Sequence, residues 1–160
     1  MADNVMSIDS FASTLANDIF DAVNSEVKNV AEKALIDAIN KTVYLQQKSY
    51  NPTYNLRDAV TVSEPKKVGG NMIKFSVYIN ASALKPEIRA GELNAHADVK
   101  GNPFQEGLIE VLNDGTKSFN PIYMHPAHNF FEKAYDDMDE KLIVTMARAL
   151  KAKGYNVTIN

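Results

Sequence analysis

Between Phe11 and Leu45 the chain carries no proline and no glycine, while apolar residues return every third or fourth position as Leu15, Ile19, Val23, Val27, Val30, Ala34 and Ala38, with Thr42 at the end. Asp18, Asn24, Glu26, Lys28, Glu32, Lys33, Asp37 and Lys41 fill the other faces. An unbroken apolar stripe ringed by charge predicts one amphipathic helix from about Phe11 to about Leu45, capped by Asp9 or Ser10. Such a helix exceeds the ordinary globular length, so it must cross the domain or project toward a partner. The rest of the fold has to be built along this rod.

Beyond it the pattern changes. Pro52 stops the helix, Val60 and Val62 begin a strand that Pro65 ends, and "KKVGGN" reads as turn material. "NMIKFSVYIN" alternates, with Ile73, Phe75, Val77 and Ile79 on one face and Lys74, Ser76, Tyr78 and Asn80 on the other, as a half-buried strand requires. The two strands are expected to form a hairpin around Gly69-Gly70. Residues 81–106 hold two prolines, two glycines and no sustained period, and read as a long loop with one helical turn. "LIEVLNDGT" returns to a strand pattern through Ile109 and Val111 and closes on the turn signal Asn113-Asp114-Gly115.

A second helix is expected from about Pro126 to Lys153, with Phe130, Phe131, Ala134, Met138, Leu142, Val144 or Thr145, Ala149 and Leu150 as its stripe, Gly154 as its stop, and "YNVTIN" adding a last strand. The whole is a single α+β domain over residues 1–160, with a flexible start over 1–10: a long N-terminal helix, a small mostly antiparallel sheet and a C-terminal helix packed on the sheet.

Bulk properties narrow the function. A chain of 160 residues, 45% hydrophobic and 23% charged, has the composition of one globular domain. No apolar run matches a bilayer span, and the start "MADNVMSIDS" lacks a basic flank followed by an apolar core, so the chain is expected to act inside a cell and off the membrane. The absence of cysteine excludes disulfides, thiol catalysis and cysteine-based zinc sites. A net charge of -3 supplies no field for gathering nucleic acid, although Lys66-Lys67 and the group Arg148, Lys151 and Lys153 are small positive spots. Sequence-specific nucleic-acid binding is therefore not expected.

The residue types of a metal site come close together only in "HPAHNFFEKAYDD". On one helix face, His125, His128 and Glu132 would present two imidazoles and a carboxylate, the donor set of a zinc hydrolase. Pro126 belongs in the first turn of a helix, however, which puts His125 out of line and leaves two ligands. His96 lies in the long loop. "YDDMDE" falls within the expected helix, where successive carboxylates point apart, and Asp136 and Glu140 are expected to pair with Lys133 and Lys141. Gly69-Gly70 lacks the lysine and hydroxyl of a phosphate loop, and there is no Gly-x-Ser-x-Gly. No catalytic set and no cofactor are expected. A small metal-dependent hydrolase using His125, His128 and Glu132 is one alternative, and an intracellular adaptor of α+β fold is another.

Three stretches in order carry a resemblance. They are "YNPTYNLRDAV", with Pro52, Thr53, Leu56 and Arg57; "LIEVLNDGT", ending in Gly115-Thr116; and "NPIYMHPAHNFFEKAYDDM", with Pro121, Tyr123, Pro126, Ala127 and Phe130 or Phe131. From about Tyr50 to Lys153 this order resembles the tail-completion, or neck, proteins that join head and tail in tailed bacteriophages. The resemblance implies a non-enzymatic structural protein of the virion, assembled in the host cytoplasm into a homo-oligomeric ring. Its partners would be the neighbouring connector and tail proteins, with the genome passing through the ring. The candidate interface residues are Tyr50, Pro52, Tyr54 and Arg57 at the helix-to-strand corner, together with Arg89 and Phe104 in the loop. The corner residues have a simpler role open to them, packing the corner itself. Ordering of residues 81–106 on assembly is a further expectation.

Overall fold

Ser7, in extended backbone, opens the first helix by accepting a hydrogen bond from the Ser10 amide on its hydroxyl at 3.2 Å. Ser7 is therefore the cap, and Asp9 and Ser10 already lie in the first turn. The computed structural model describes residues 7–45, 55–69, 72–84, 108–115 and 126–159. From Ile8 the helix continues through α1 (Ile8–Ala22), a π turn (Val23–Val27), α2 (Lys28–Ile39) and a second π turn (Asn40–Tyr44). At 1.5 Å per residue the rod is about 55 Å long.

In each π turn the ladder widens by one residue: the Lys28 amide donates to the Val23 carbonyl, and the Leu45 amide to the Asn40 carbonyl at 2.9 Å. The sequence supplies a reason. Leu15, Ile19, Val23, Val27, Ala31, Leu35, Ile39 and Val43 follow one another at intervals of four. At 3.6 residues per turn each such step overshoots by about 40°, and the stripe would wind off the core. The wider turns take up this drift, so Val23, Val27, Ala31, Leu35, Ile39 and Val43 are all buried. Val30 and Thr42, expected on the stripe, are only half-buried.

Deleting Asn24, exposed within the first π turn, should convert that turn to ordinary α-helix and leave both halves of the stripe facing inward. Deleting Lys33, exposed within regular α2, rotates the flanking halves by about 100° relative to each other. The first variant should keep a cooperative melt by circular dichroism and the second should lose it; equal damage from the two would contradict this role for the π turn.

Tyr44 ends the rod and holds the next element. Its hydroxyl accepts hydrogen bonds from the amides of Leu56 and Arg57, at 3.1 and 3.3 Å, in the short helix α3 (Asn55–Asp58). Burial pushes the Tyr44 hydroxyl above its ordinary pKa. Then β1 (Val60–Val62) pairs antiparallel with β4 (Val77–Ile79), and β2 (Lys66–Val68) with β3 (Met72–Lys74). The expected hairpin is thus present, but Lys66–Val68 is strand rather than turn.

The register changes by one residue between the two pairs, because Ser63, Glu64 and Pro65 face only Phe75 and Ser76. Pro65 has no amide to donate and sits inside this bulge. Ser63 bridges it, donating its amide to the Ser76 carbonyl and accepting the Ser76 amide on its hydroxyl, each at 2.9 Å. The alternation of the return strand holds: Ile73, Phe75 and Val77 are half-buried and Ile79 is buried, while Lys74, Ser76, Tyr78 and Asn80 are exposed. A 3₁₀ turn (Ala81–Ala83) follows, capped by the Asn80 side chain, and Leu84 is buried. The remainder of the expected loop lies outside the described residues.

"LIEVLND" forms the helix α4 (Leu108–Asp114), not a strand. Gly115, at φ +75°, ends it with its amide on the Val111 carbonyl at 2.9 Å. The last helix, α5 (Phe130–Ala152), begins four residues after Pro126 instead of at it. It ends as expected at Gly154, φ +93°, where the Gly154 amide reaches the Lys151 carbonyl and the Tyr155 amide the Leu150 carbonyl, at 3.0 and 3.1 Å. Residues 155–159 are irregular rather than a strand. Leu35, Ala38, Ile39, Val43, Leu56, Ala59, Ile79, Leu84, Leu112, Phe130 and Ala134 form one core, so the fold is α+β; α2 packs on β1 and β4, and α5 packs mainly on α2 rather than on the sheet, reaching the shared core through Phe130 and Ala134. Along its length α5 lies antiparallel on the long helix, with Thr145, not Val144, on the buried side.

The two helices are tied at both ends. Asp137 takes the ammonium groups of Lys133 and Lys41 at 3.2 and 3.4 Å, the place expected for Asp136. At the other end Asp18 accepts from Lys153 Nζ and the Tyr155 hydroxyl, each at 2.6 Å, and the Tyr155 ring meets Phe11 edge-on with centroids 6.3 Å apart. The hydrogen bond from Lys153, then that from Tyr155, holds the Asp18 carboxyl below the usual carboxylate range, while Lys153 and Tyr155 are both raised by bonding to Asp18.

The signs follow from linkage. The Asp18 contribution is present above the ordinary carboxylate pKa of about 3.9 and is lost as pH falls through the lowered value. Those of Lys153 and Tyr155 are present below their ordinary values near 10 and are lost as pH rises through the raised ones. Asp18→Asn should therefore flatten both the acid and the alkaline limbs of a stability-pH curve. A change in one limb alone would contradict this shared latch.

Candidate functional site

The corner where α4, α5 and the end of the long helix meet contains His128, and its geometry decides what that histidine does. Asn129 adopts left-handed backbone, φ +49° and ψ +37°, which separates His128 from the first turn of α5. The His128 amide donates to the carbonyls of Leu112 and Asn113 at 3.1 and 3.0 Å, and the Asn129 amide donates to the Asn113 carbonyl at 2.9 Å. The His128 ring is 8% exposed, with Nδ1 2.6 Å from the Thr42 carbonyl in the second π turn. A carbonyl oxygen can only accept, so Nδ1 carries a proton. One of the carbonyls that a helix end leaves without a partner is thereby satisfied.

Asn113 completes the corner. Its side-chain oxygen accepts the Phe131 amide at 3.1 Å, serving α5 as an N-cap supplied from another helix, since Asn129 makes no side-chain cap bond. In the sequence Asn113 reads as a turn residue, and nothing in its neighbours signals this capping role. Asparagine beside aspartate and glycine signals a helix terminus as readily as a hairpin turn.

This geometry breaks up the expected metal set. His128 and Glu132 do not share a helix face, because His128 precedes the helix, and Glu132 is exposed in the first turn of α5. His125 and His96 lie outside the described residues. Among the described residues no three histidine, aspartate or glutamate side chains converge on a point where an ion could sit. An open groove of about 430 Å³ between α2 and α5, bordered by Val30, Lys33, Asp37, Lys141 and Val144, contains neither a nucleophile with a base nor a histidine.

Of the candidate interface residues, Arg57 is described. It is half-buried in α3, its guanidinium bonded to Asp58 Oδ1 through Nε at 2.9 Å and Nη2 at 2.8 Å. Tyr50, Pro52, Tyr54, Arg89 and Phe104 lie outside the described residues.

The surface contributes what the interior does not. Ile8 and Phe11 are 85% and 50% exposed at the start of α1, Val68 and Met72 are exposed on the hairpin, and Phe131, Tyr135, Ile143 and Val144 are exposed along α5. The expected stripe included Phe131, and Val144 or Thr145; Phe131 and Val144 are exposed, each about 70° around the helix from the mean direction of Phe130, Ala134 and Thr145. Among the described residues no helix is long and apolar enough to cross a membrane. Compared with known proteins, the chain matches no family model, no curated protein and no solved structure.

Proposed function

We propose that this chain is a structural protein of a tailed-phage virion, a tail-completion or neck component that joins head to tail by assembling into a ring. The observation that carries the reading is the distribution of exposed large apolar side chains over separate surfaces of one small subunit: the start of α1, the hairpin and the outer side of α5. Exposed apolar patches mark contact sites. Head-to-tail contacts that close into a ring require two different patches on the same chain, unlike a two-fold dimer, which needs one. The long helix and the antiparallel hairpin are compatible with the resemblance to the joining proteins, whereas Leu108–Asp114, a strand in that resemblance, is helical here. In this reading the protein works by assembly, its partners are further copies of itself and the adjoining connector and tail proteins, and its place is the virion. The hydrolase alternative gains no support from His128, which the left-handed Asn129 separates from the helix carrying Glu132, and among the described residues no two further ligand side chains converge with it.

Native mass spectrometry of protein purified without chelator tests the reading, since one spectrum gives both subunit count and bound metal. Metal-free rings or a series of metal-free oligomers are expected. One tightly held zinc per chain would overturn the proposal in favour of the hydrolase.

A further inference from the structure

The outer face of the β2–β3 hairpin carries an electrostatic conflict. Lys66 and Lys74 stand directly opposite each other in the antiparallel register, beside the opposed pair Val68 and Met72. All four are exposed. Like charges in directly opposed positions destabilise a strand pair. The other face of the hairpin is occupied: Lys67 donates to Asn17 at 2.8 Å and lies over the Phe20 ring, 5.3 Å from its centroid. Among the described residues Lys66 and Lys74 have no carboxylate partner, and nothing in the described fold compensates their repulsion.

The opposite charge lies on α5. Steps of four along a helix make continuous ridges, and two neighbouring ridges here are exposed throughout. One runs Phe131, Tyr135, Asp139, Ile143, and the next runs Glu132, Asp136, Glu140, Val144. Among the described residues none of these four carboxylates has a basic partner, in contrast to Asp137 on the adjacent side, which holds two lysines. The described part of the chain thus presents an apolar face bearing two lysines and an apolar face bearing four carboxylates, none of the six paired with an opposite charge among the described residues.

We propose that these two faces bind each other between copies: the hairpin face of one subunit docks on the α5 ridges of the next, repeating head to tail. Lys66 and Lys74 set their ammonium groups among Asp136, Asp139 and Glu140, and Met72 and Val68 pack on Tyr135 and Ile143. Opposite potentials steer the encounter and fix its direction, while the aromatic and methionine side chains exclude water at its centre. The contact is heterologous, as ring closure requires. The proposal rests on the reading of the chain as a self-assembling joining protein, and it names the surfaces that reading needs.

The test uses two charge-reversed variants of the full chain, K66E/K74E and D136K/D139K/E140K, followed by sedimentation velocity at low and high salt. The wild-type protein should associate at low salt and dissociate as salt is added. Each variant alone should associate at least about tenfold more weakly. An equimolar mixture should recover association, because every hairpin then finds an α5 face of opposite sign; recovery also shows that both variants are folded. The proposal is overturned if either variant assembles like wild type, if mixing restores nothing, or if wild type stays monomeric at low salt. It is equally overturned if the lysine variant loses only binding to double-stranded DNA, which would assign Lys66 and Lys74 to the genome. Rings that survive both substitutions would leave the joining role standing with a different contact.

Discussion

Phe130→Ala is expected to lower folding stability by about 3–5 kcal/mol, the range for emptying an aromatic site in a closed core. Phe130 is fully buried at the first position of α5, in the cluster that includes Leu35, Ile39 and Ile79. It is the residue through which the long helix, the sheet and the last helix share one interior. The adjacent Phe131 ring, with its centroid 4.8 Å away, is itself 39% exposed and so is poorly placed to fill the space. Urea unfolding followed by circular dichroism gives the number. A loss below about 1.5 kcal/mol, the level of a conservative core exchange, would mean that Phe130 is not the keystone of this core.

His128→Ala comes next, at about 2–3 kcal/mol. The substitution removes a buried hydrogen bond, leaves the Thr42 carbonyl without its ring donor and opens space under the corner. The loss should be the same with and without chelator, because it comes from a backbone contact and not from a ligand. Asparagine can place its amide near the position of Nδ1 and should recover part of the loss, while glutamine, one carbon longer, should not. If alanine is harmless in apo protein but abolishes a zinc-dependent stabilisation, the structural role assigned to His128 is wrong.

How far the sequence carried can be followed residue by residue. The rod was legible because thirty-odd residues without glycine or proline leave little alternative to a helix, but its inward phase after Val27 was legible only in part, at Ala34 and Ala38. A π turn adds one residue without any marker in composition, so extrapolation at 3.6 per turn selected Val30 and Thr42 where Ala31 and Val43 are buried. The hairpin was legible from the alternation between Ile73 and Asn80. Its register slip was not, although Pro65, which cannot donate to a ladder, marked the place.

"LIEVL" was misread as a strand because five mostly apolar residues fit either period, and only the packing of Leu112 in the core together with the Gly115 stop identifies a helix. The corner failed for a similar reason. The spacing of His128 and Glu132 assumes a helix between them, and the left-handed Asn129 breaks it. The exposed ridges of α5 were visible only in part. Their charge reads as solvated surface, and of its apolar neighbours Phe131 falls on the expected buried stripe, where Val144 stands only as the alternative to Thr145. Association surfaces resemble ordinary surface in composition, and it is exposure in the fold that separates them.

The proposed joining role is tested most directly in any phage whose genome encodes this chain, by deleting the gene and imaging the particles made. The account predicts DNA-filled heads and completed tails accumulating separately, with joined virions restored when the wild-type chain is supplied in trans. Normal joined, infectious particles in its absence would contradict it.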